Sequence, residues 1–383
     1  MTGENPRLEF RTINTINDIP KETWDKLFPS EIIEGWGYHK TIEESGTKEF
    51  RIRYLLGEHN KETALIIPFF INDFSFTTVI QGLLQKLMFG IQKVFKRAFK
   101  ARMLFVGLPT AEELYIGFNQ KYDYRLVMEQ ALEELSKLCA KERIIATLFY
   151  NLTEKHKTLH GLLRKHKFAP MEDFPNTVLT IKEGSSQEYI KKLSRNTRKD
   201  IRRKLNRLAS LSKIDIEITE DISGIKDKIY ELYMNNFGES DIHFETLTTA
   251  FFENITANMK GTAKFFITRD HTKEIVAFNL CFIKGDTCID KVIGFDKKKS
   301  REYHLYNATL IHNIDWCIKN NITYYQLGIT DYHAKLRFGA SLVPLFIYAK
   351  INNPALNAIF TKPIAKLTQP KNFDPALKRL REK

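Results

Sequence analysis

Residues able to do chemistry gather in two places in the second half of this 383-residue chain. The first runs Thr323-Tyr324-Tyr325-Gln326-Leu327-Gly328 into Ile329-Thr330-Asp331-Tyr332-His333-Ala334-Lys335-Leu336-Arg337-Phe338-Gly339. It is an aromatic, β-rich run stopped by glycine, then a polar turn, then a lysine and an arginine two apart. Such a run reads as a buried strand, and polar residues just past a strand's carboxyl end are where α/β folds commonly place a ligand. Lys335 and Arg337 are therefore read as facing a ligand; the plainer reading is a surface turn with ordinary basic residues. The second place is Gly294-Phe295-Asp296, followed by Lys297-Lys298-Lys299-Ser300-Arg301-Glu302 and Tyr303-His304-Leu305-Tyr306. A carboxylate at a strand end can take a proton or cap the next helix. A cationic turn can hold an anion or simply be solvated, and a lone histidine at a helix start is more often structural than catalytic.

These groups need a scaffold, and hydrophobic periodicity supplies one. In the first half, strands are expected at 8–13, 50–56, 63–71, 103–106, 144–149 and 177–181, with helices at 20–28, 38–45, 124–141 and 154–165. In the second, strands are expected from 214 and at 264–268, 275–283, 287–295, 323–327 and 345–351, with helices at 224–235, 246–259 and 305–320. Strands alternating with helices predict an α/β fold with mixed sheets. The halves echo each other: Tyr54-Leu55-Leu56-Gly57-Glu58-His59-Asn60-Lys61-Glu62 aligns without a gap on Phe266-Ile267-Thr268-Arg269-Asp270-His271-Thr272-Lys273-Glu274. That similarity suggests a duplicated unit, although any two hairpins entered through a polar turn look alike. Between the halves Tyr189, Ile190, Leu193, Ile201, Leu205 and Leu208 recur at helical intervals among Arg195, Arg198, Arg202 and other cations, an amphipathic, basic connector. The expected organisation is a domain over 1–182 with a basic insert at 80–102, a connector over 183–212, a second domain over 213–352, and a basic, proline-containing tail over 353–383 that wraps the surface or stays loose.

With 59 Lys and Arg against 46 Asp and Glu, the net charge of +13 favours an anionic partner: CoA phosphates, an acidic carrier protein, tRNA or lipid head groups. The four cysteines, Cys139, Cys281, Cys288 and Cys317, have neither disulfide-framework nor zinc spacing, so no metal is expected. The N-terminus lacks the apolar core of a signal peptide and no apolar run reaches the roughly 20 residues of a membrane span, so a cytoplasmic protein is expected. There is no Walker loop, no dinucleotide fingerprint and no Gly-x-Ser-x-Gly turn.

Together these features resemble the GNAT-type N-acyltransferases of the FemAB-like and CelD/BioF-like group, in which two GNAT-like units share one chain. Four places carry the resemblance: the basic segment 193–204, Gly294-Phe295-Asp296, Tyr303-His304-Leu305-Tyr306, and Leu327-Gly328 with Lys335-Leu336-Arg337-Phe338-Gly339. Two departures stand out. Lysines replace the glycine-rich pyrophosphate loop expected after Asp296, and Gln326 stands where many relatives have an acidic residue. The resemblance implies acyl or aminoacyl transfer to an amine from acyl-CoA, acyl carrier protein or aminoacyl-tRNA, without a permanently bound cofactor. It implies Lys335, Asp296 and Tyr306 as catalytic candidates. Lys298, Lys299, Arg301, Arg195, Arg198 and Arg202 would meet donor phosphates, and Arg337, Tyr303 and His304 would meet substrate. The rival expectation is a non-catalytic GNAT-fold protein that binds membrane or nucleic acid through its basic surfaces. Leu84, Leu87, Met88, Ile91, Val94, Phe95, Ala98 and Phe99 alternate with lysines and arginines, and no acidic residue interrupts 74–111. Residues 83–102 therefore read as an amphipathic helix lying on anionic lipid at the inner membrane face, packed on its own domain, or forming a lid over the cleft.

Overall fold

The structure is a computed structural model that describes residues 7–46, 50–75, 100–211, 214–237 and 246–381. Its strands are β1 (Glu9–Ile13), β2 (Arg51–His59), β3 (Glu62–Ser75), β4 (Lys100–Val106), β5 (Gly117–Phe118), β6 (Ala146–Leu152), β7 (Ala169–Glu172), β8 (Asn176–Thr180), β9 (Asp215–Thr219), β10 (Ala263–Arg269), β11 (Ile275–Lys284), β12 (Thr287–Phe295), β13 (Tyr324–Gly328), β14 (Ser341–Val343) and β15 (Phe346–Ile351). Its α-helices are α1 (Lys21–Leu27), α2 (Trp36–Glu44), α3 (Tyr124–Lys141), α4 (Lys157–Lys165), α5 (Ser186–Lys192), α6 (Arg195–Leu211), α7 (Lys226–Phe237), α8 (Thr249–Asn258), α9 (Lys297–Tyr303), α10 (Leu305–Lys319), α11 (Tyr332–Arg337), α12 (Pro354–Leu367) and α13 (Pro375–Arg381). Two compact units result: Met1–Ile32, Lys48–Phe174 and Pro344–Lys383 form one, Ile33–Thr47 and Pro175–Val343 the other.

Each unit holds a mixed sheet, and the two sheets share one design. The first runs β1-β2-β3-β4-β6-β15-β7 with β5 added to β3, the second β9-β10-β11-β12-β13-β8-β14. In each, one pair at the centre is parallel, β4 with β6 and β12 with β13. The hairpins aligned by sequence share a left-handed lysine in the turn and a nearby register shift, which falls one residue apart in the two. Lys61 and Lys273 both adopt left-handed backbone, at φ 65° and 68°, and register shifts fall at Gly57/Glu58 and Thr268/Arg269.

Pairing corrects two strands of the expected organisation. The strand expected to close the first half, β8, pairs with β13 and β14 in the second sheet. The strand expected to finish the second half, β15, pairs with β6 and β7 in the first. Alternation of apolar residues identifies a strand but not its partner, because any sheet edge offers the same backbone groups. The connector is likewise part of the second unit's core: Tyr189, Ile190, Leu193 and Ile201 pack with Leu179, Ile314, Tyr325 and Leu327. Lys100, Ala101 and Arg102 are strand, not helix, paired with Ser75, Phe74 and Asp73. The rest of the basic insert, 80–99, lies outside the described residues. Among those residues no helix is long and apolar enough to cross a membrane.

The second unit also takes in α2, which packs on α8 so closely that a Cβ on Gly37 would fall 2.1 Å from the Asn258 carbonyl oxygen. The same segment brings Glu34 to Lys291 on β12, 2.6 Å apart with side chains 2 % and 5 % exposed, and Lys291 lies 5.5 Å from the Tyr38 ring centroid. Removing one member of a buried pair leaves an uncompensated charge. Glu34→Ala is therefore expected to destabilise the protein by about 3–5 kcal/mol, read as a lower urea midpoint; an unchanged midpoint would show that the pair is not carrying this packing.

Candidate active site

Three residue pairs join the parallel strands β12 and β13, from Thr287 with Tyr324 to Ile289 with Gln326. Beyond Ile289, β12 runs on to Phe295 without a strand partner on its β13 side among the described residues. Polar residues stand at this opening.

At its base stands Asp290. Asn279 Nδ2 donates to both carboxylate oxygens at 3.0 and 2.9 Å, the Tyr325 hydroxyl donates to Oδ2 at 2.7 Å, and Asn313 Nδ2 donates to that hydroxyl at 2.8 Å. Burial pushes the Asp290 carboxyl up to about 6, although its two hydrogen-bond donors and the nearby Lys335 ammonium pull it down. A carboxyl poised there is ionised at neutral pH and still basic enough to accept a proton. The sequence reading missed Asp290, yet a signal was present: an aspartate in the middle of a strand, beside Lys291, where aspartate is depleted.

Lys335 lies not on a loop but in the six-residue α11, and it is only 5 % exposed. A left-handed Asp331 (φ 49°) starts this helix and Gly339 (φ 88°) follows it. The Tyr332 hydroxyl donates to the Pro175 carbonyl at 2.8 Å and the Tyr189 hydroxyl to the Phe338 carbonyl at 2.6 Å, fixing both ends. Arg337 supports the same helix by pairing with Asp200 on α6 at 3.0 Å. Asp200 also pairs with Arg203 and Lys204, and these partners, Arg203 first, hold its carboxyl well below the usual range. Tyr306, on the first turn of α10, feels both Asp331 and Asp290. Burial, chiefly, and these two charges push its phenol up, so it keeps its proton.

Other sequence candidates take structural places. Asp296 caps α9, its carboxylate accepting from Lys299 N at 2.9 Å. Lys299 pairs through Nζ with Asp270 and Glu274, each at 2.5 Å, partners too far away in sequence to be anticipated. Tyr303 is buried among Leu208, Phe295, Leu305 and Ala308. Arg198 donates to the carbonyls of Lys191 and Leu193 at 2.6 and 3.4 Å. Gly294 is required by close packing, since a Cβ there would fall 2.8 Å from the Leu232 backbone on α7. Lys298 and Arg301 on α9, and Arg195 and Arg202 on α6, are exposed.

In place of a glycine-rich loop, the chain folds α9, turns once at His304 (φ 52°) and starts α10. His304 provides no side-chain cap to α10, and its buried Nε2 has no hydrogen-bond partner. Burial and the charges of Lys204, Arg207 and Arg203 lower its basicity. Lys204 also donates to Asn307 Oδ1 at 3.4 Å. A helix N-terminus beside three cations is a place for an anion. In the first unit the corresponding helix, α3, is capped by Asp123, whose carboxylate accepts from Arg125 N and Leu126 N at 2.8 and 3.1 Å. That end already carries its own anion.

All four cysteines are buried and free. Burial pushes the Cys281 thiol, near Asp290, up to about 11, which keeps it a poor nucleophile. Among the described residues, no group of three or more His, Cys, Asp or Glu side chains could hold a metal ion.

Residues 195–336 match the acetyltransferase (GNAT) domain family. The fold is similar to that of FemX, with TM-score 0.56 and 12 % identity, over 92 % of this chain and 99 % of that one. It is similar also to a tandem GNAT protein from the clavulanic acid biosynthesis pathway, with TM-score 0.53 and 8 % identity, over 91 % and 99 % of the two chains. In sequence the chain is 20 % identical over 322 residues to a putative 8-amino-7-oxononanoate synthase 2 of Mycobacterium tuberculosis, covering 82 % of this chain but only 42 % of that longer protein. The matched region includes the β12–β13 opening, Asp290 and Lys335, and both sheets follow one strand order. Residues 195–336 thus match a GNAT acetyltransferase domain, and the fold of the chain is that of two GNAT-like units in tandem.

Proposed function

We propose that this protein is an N-acyltransferase whose second unit moves an acyl or aminoacyl group from a phosphate-bearing activated donor, acyl-CoA in the first instance, to an amine. The observation that carries the reading is Asp290, held by Asn279 and Tyr325 at the opening between β12 and β13 and within electrostatic reach of Lys335 and Tyr306, beside the uncapped, cation-flanked start of α10. Asp290 takes a proton from the acceptor amine as its nitrogen attacks the acyl carbonyl. The Lys335 ammonium stabilises the oxyanion that forms. As the C–S bond of the thioester breaks, Tyr306 protonates the leaving thiolate. No enzyme-bound acyl intermediate is needed, in keeping with a Cys281 thiol held protonated by burial.

Donor phosphates would sit at the start of α10, against Lys204, Arg203 and Arg207, with Lys298 and Arg301 within the same basic surface. Acyl carrier protein and aminoacyl-tRNA present phosphates too, and a buried polar cluster at the opening favours catalysis over the rival role of a binding protein. Among acyl-CoA and amine panels, the double variant Lys204→Ala/Arg207→Ala is expected to raise KM for acyl-CoA about tenfold with kcat little changed, since a phosphate contact made equally in ground and transition states affects binding alone. An unchanged KM would place the donor phosphates elsewhere.

A further inference from the structure

Helix α12 lies on the first unit the wrong way round for a helix seeking a hydrophobic core. Its polar residues face the protein: Asn357 Oδ1 accepts from Ile351 N at 2.9 Å, Asn357 Nδ2 donates to the Lys167 carbonyl at 3.1 Å, and the buried Thr361 donates to the Asn357 carbonyl. Its apolar residues face outward, with Leu356 42 %, Ile359 61 %, Phe360 48 % and Leu367 70 % exposed. Spaced at 356, 359, 360 and 367 they fall within one stripe of the helix, with the exposed Pro363 between them and the exposed Lys362 and Lys366 along one edge. The helix has no acidic residue, and residues 354–381 carry six lysines and arginines against one aspartate. Single exposed apolar side chains are ordinary, but a contiguous stripe marks an interaction surface.

We propose that α12 is a membrane-docking helix that lays Leu356, Ile359, Phe360 and Leu367 into the interface of an anionic lipid surface, with Lys362 and Lys366 at the level of the head groups. The choice of lipid over a second copy of the chain rests on charge. A copy would bring equally basic residues to this face, whereas anionic head groups neutralise them, each cation near such a surface being worth about 1 kcal/mol. Polar anchoring on one side and an apolar stripe edged by lysine on the other is the division an interfacial helix requires. Of the two expectations for the tail, wrapping the surface or staying loose, this helix follows the first, and the surface is a segment other than 83–102. It stands independently of the acyltransferase reading, because none of its residues belongs to the proposed active site.

Flotation of the full-length protein with phosphatidylcholine vesicles, with and without phosphatidylglycerol, tests this. The expected result is binding to the anionic vesicles that weakens as salt rises. Ile359→Glu/Phe360→Glu should reduce it at least about tenfold, and Lys362→Glu/Lys366→Glu should remove the preference for phosphatidylglycerol. Both double variants alter exposed residues, so melting temperature should be unchanged. Failure of the parent to bind, or parental binding by either double variant, would overturn the proposal. So would a parent that is dimeric in solution and becomes monomeric in the Ile359→Glu/Phe360→Glu variant without any vesicle binding.

Discussion

Asp290→Asn is expected to lower kcat for acyl transfer by about 10²–10⁴-fold, the range of a well-placed general base. The substitution keeps one oxygen for the Tyr325 hydroxyl and nearly the same volume, so the loss would be chemical rather than architectural. In the parent, burial pushes this carboxyl up to about 6 from an ordinary 3.8. The parent's activity should therefore fall about tenfold per pH unit below 6 and level off above it, a limb that the variant lacks. The sign of the stability effect is opposite. Because the folded state holds this proton to higher pH than the unfolded state, the folded form binds more protons between about 4 and 6, and stability declines as pH rises through that window. Above it the parent carries a buried charge at a standing cost, so the asparagine variant should melt higher than the parent at neutral pH. Turnover traded against stability at one residue is the signature of a functional site. A variant that keeps parental turnover would exclude Asp290 as the base.

Lys335→Met carries the second large effect. Loss of an oxyanion donor costs about 10²–10³-fold in kcat, and methionine fills much of the lysine's space in a helix where that side chain is buried. The same ammonium lowers the Asp290 pKa. Removing it should move the acid limb of the pH–rate profile to higher pH, above about 6. A lysine with only a packing role would leave that limb in place. An intact fold with undiminished turnover would remove Lys335 from the mechanism.

How far the sequence could be read depends on which interactions are local. Helix α3 was expected at 124–141 and is found at Tyr124–Lys141, because an apolar stripe and the Asp123 cap act within a few residues of one another. The hairpin β10–β11 was legible for the same reason, and the repeat it shares with β2–β3 led to two units. What escaped was set by distant partners. β8 and β15 read correctly as strands, but their exchange between the two sheets depends on edges formed more than a hundred residues away. Lys299 looked like a phosphate ligand until Asp270 and Glu274 closed on it. Asp296 fulfilled the plainer of its two readings, as a helix cap. Lys335 was singled out, but as a loop residue, since six helical residues between a left-handed aspartate and a glycine leave little periodic signal. The carboxylate missed at Gln326 has a counterpart in Asp290, on the neighbouring strand and the other face of the sheet, where tertiary structure alone reveals the Asn279–Asp290–Tyr325–Asn313 chain.

The central claim is that the acyl donor is held in the second unit, along the unpaired end of β12 and at the start of α10. Hydrogen exchange followed by mass spectrometry, with and without saturating acetyl-CoA, addresses it most directly. Slower exchange across 290–308 on addition of acetyl-CoA, with 103–126 in the first unit unchanged, is the predicted result. Protection confined to 103–126, or no change at 290–308, would contradict it.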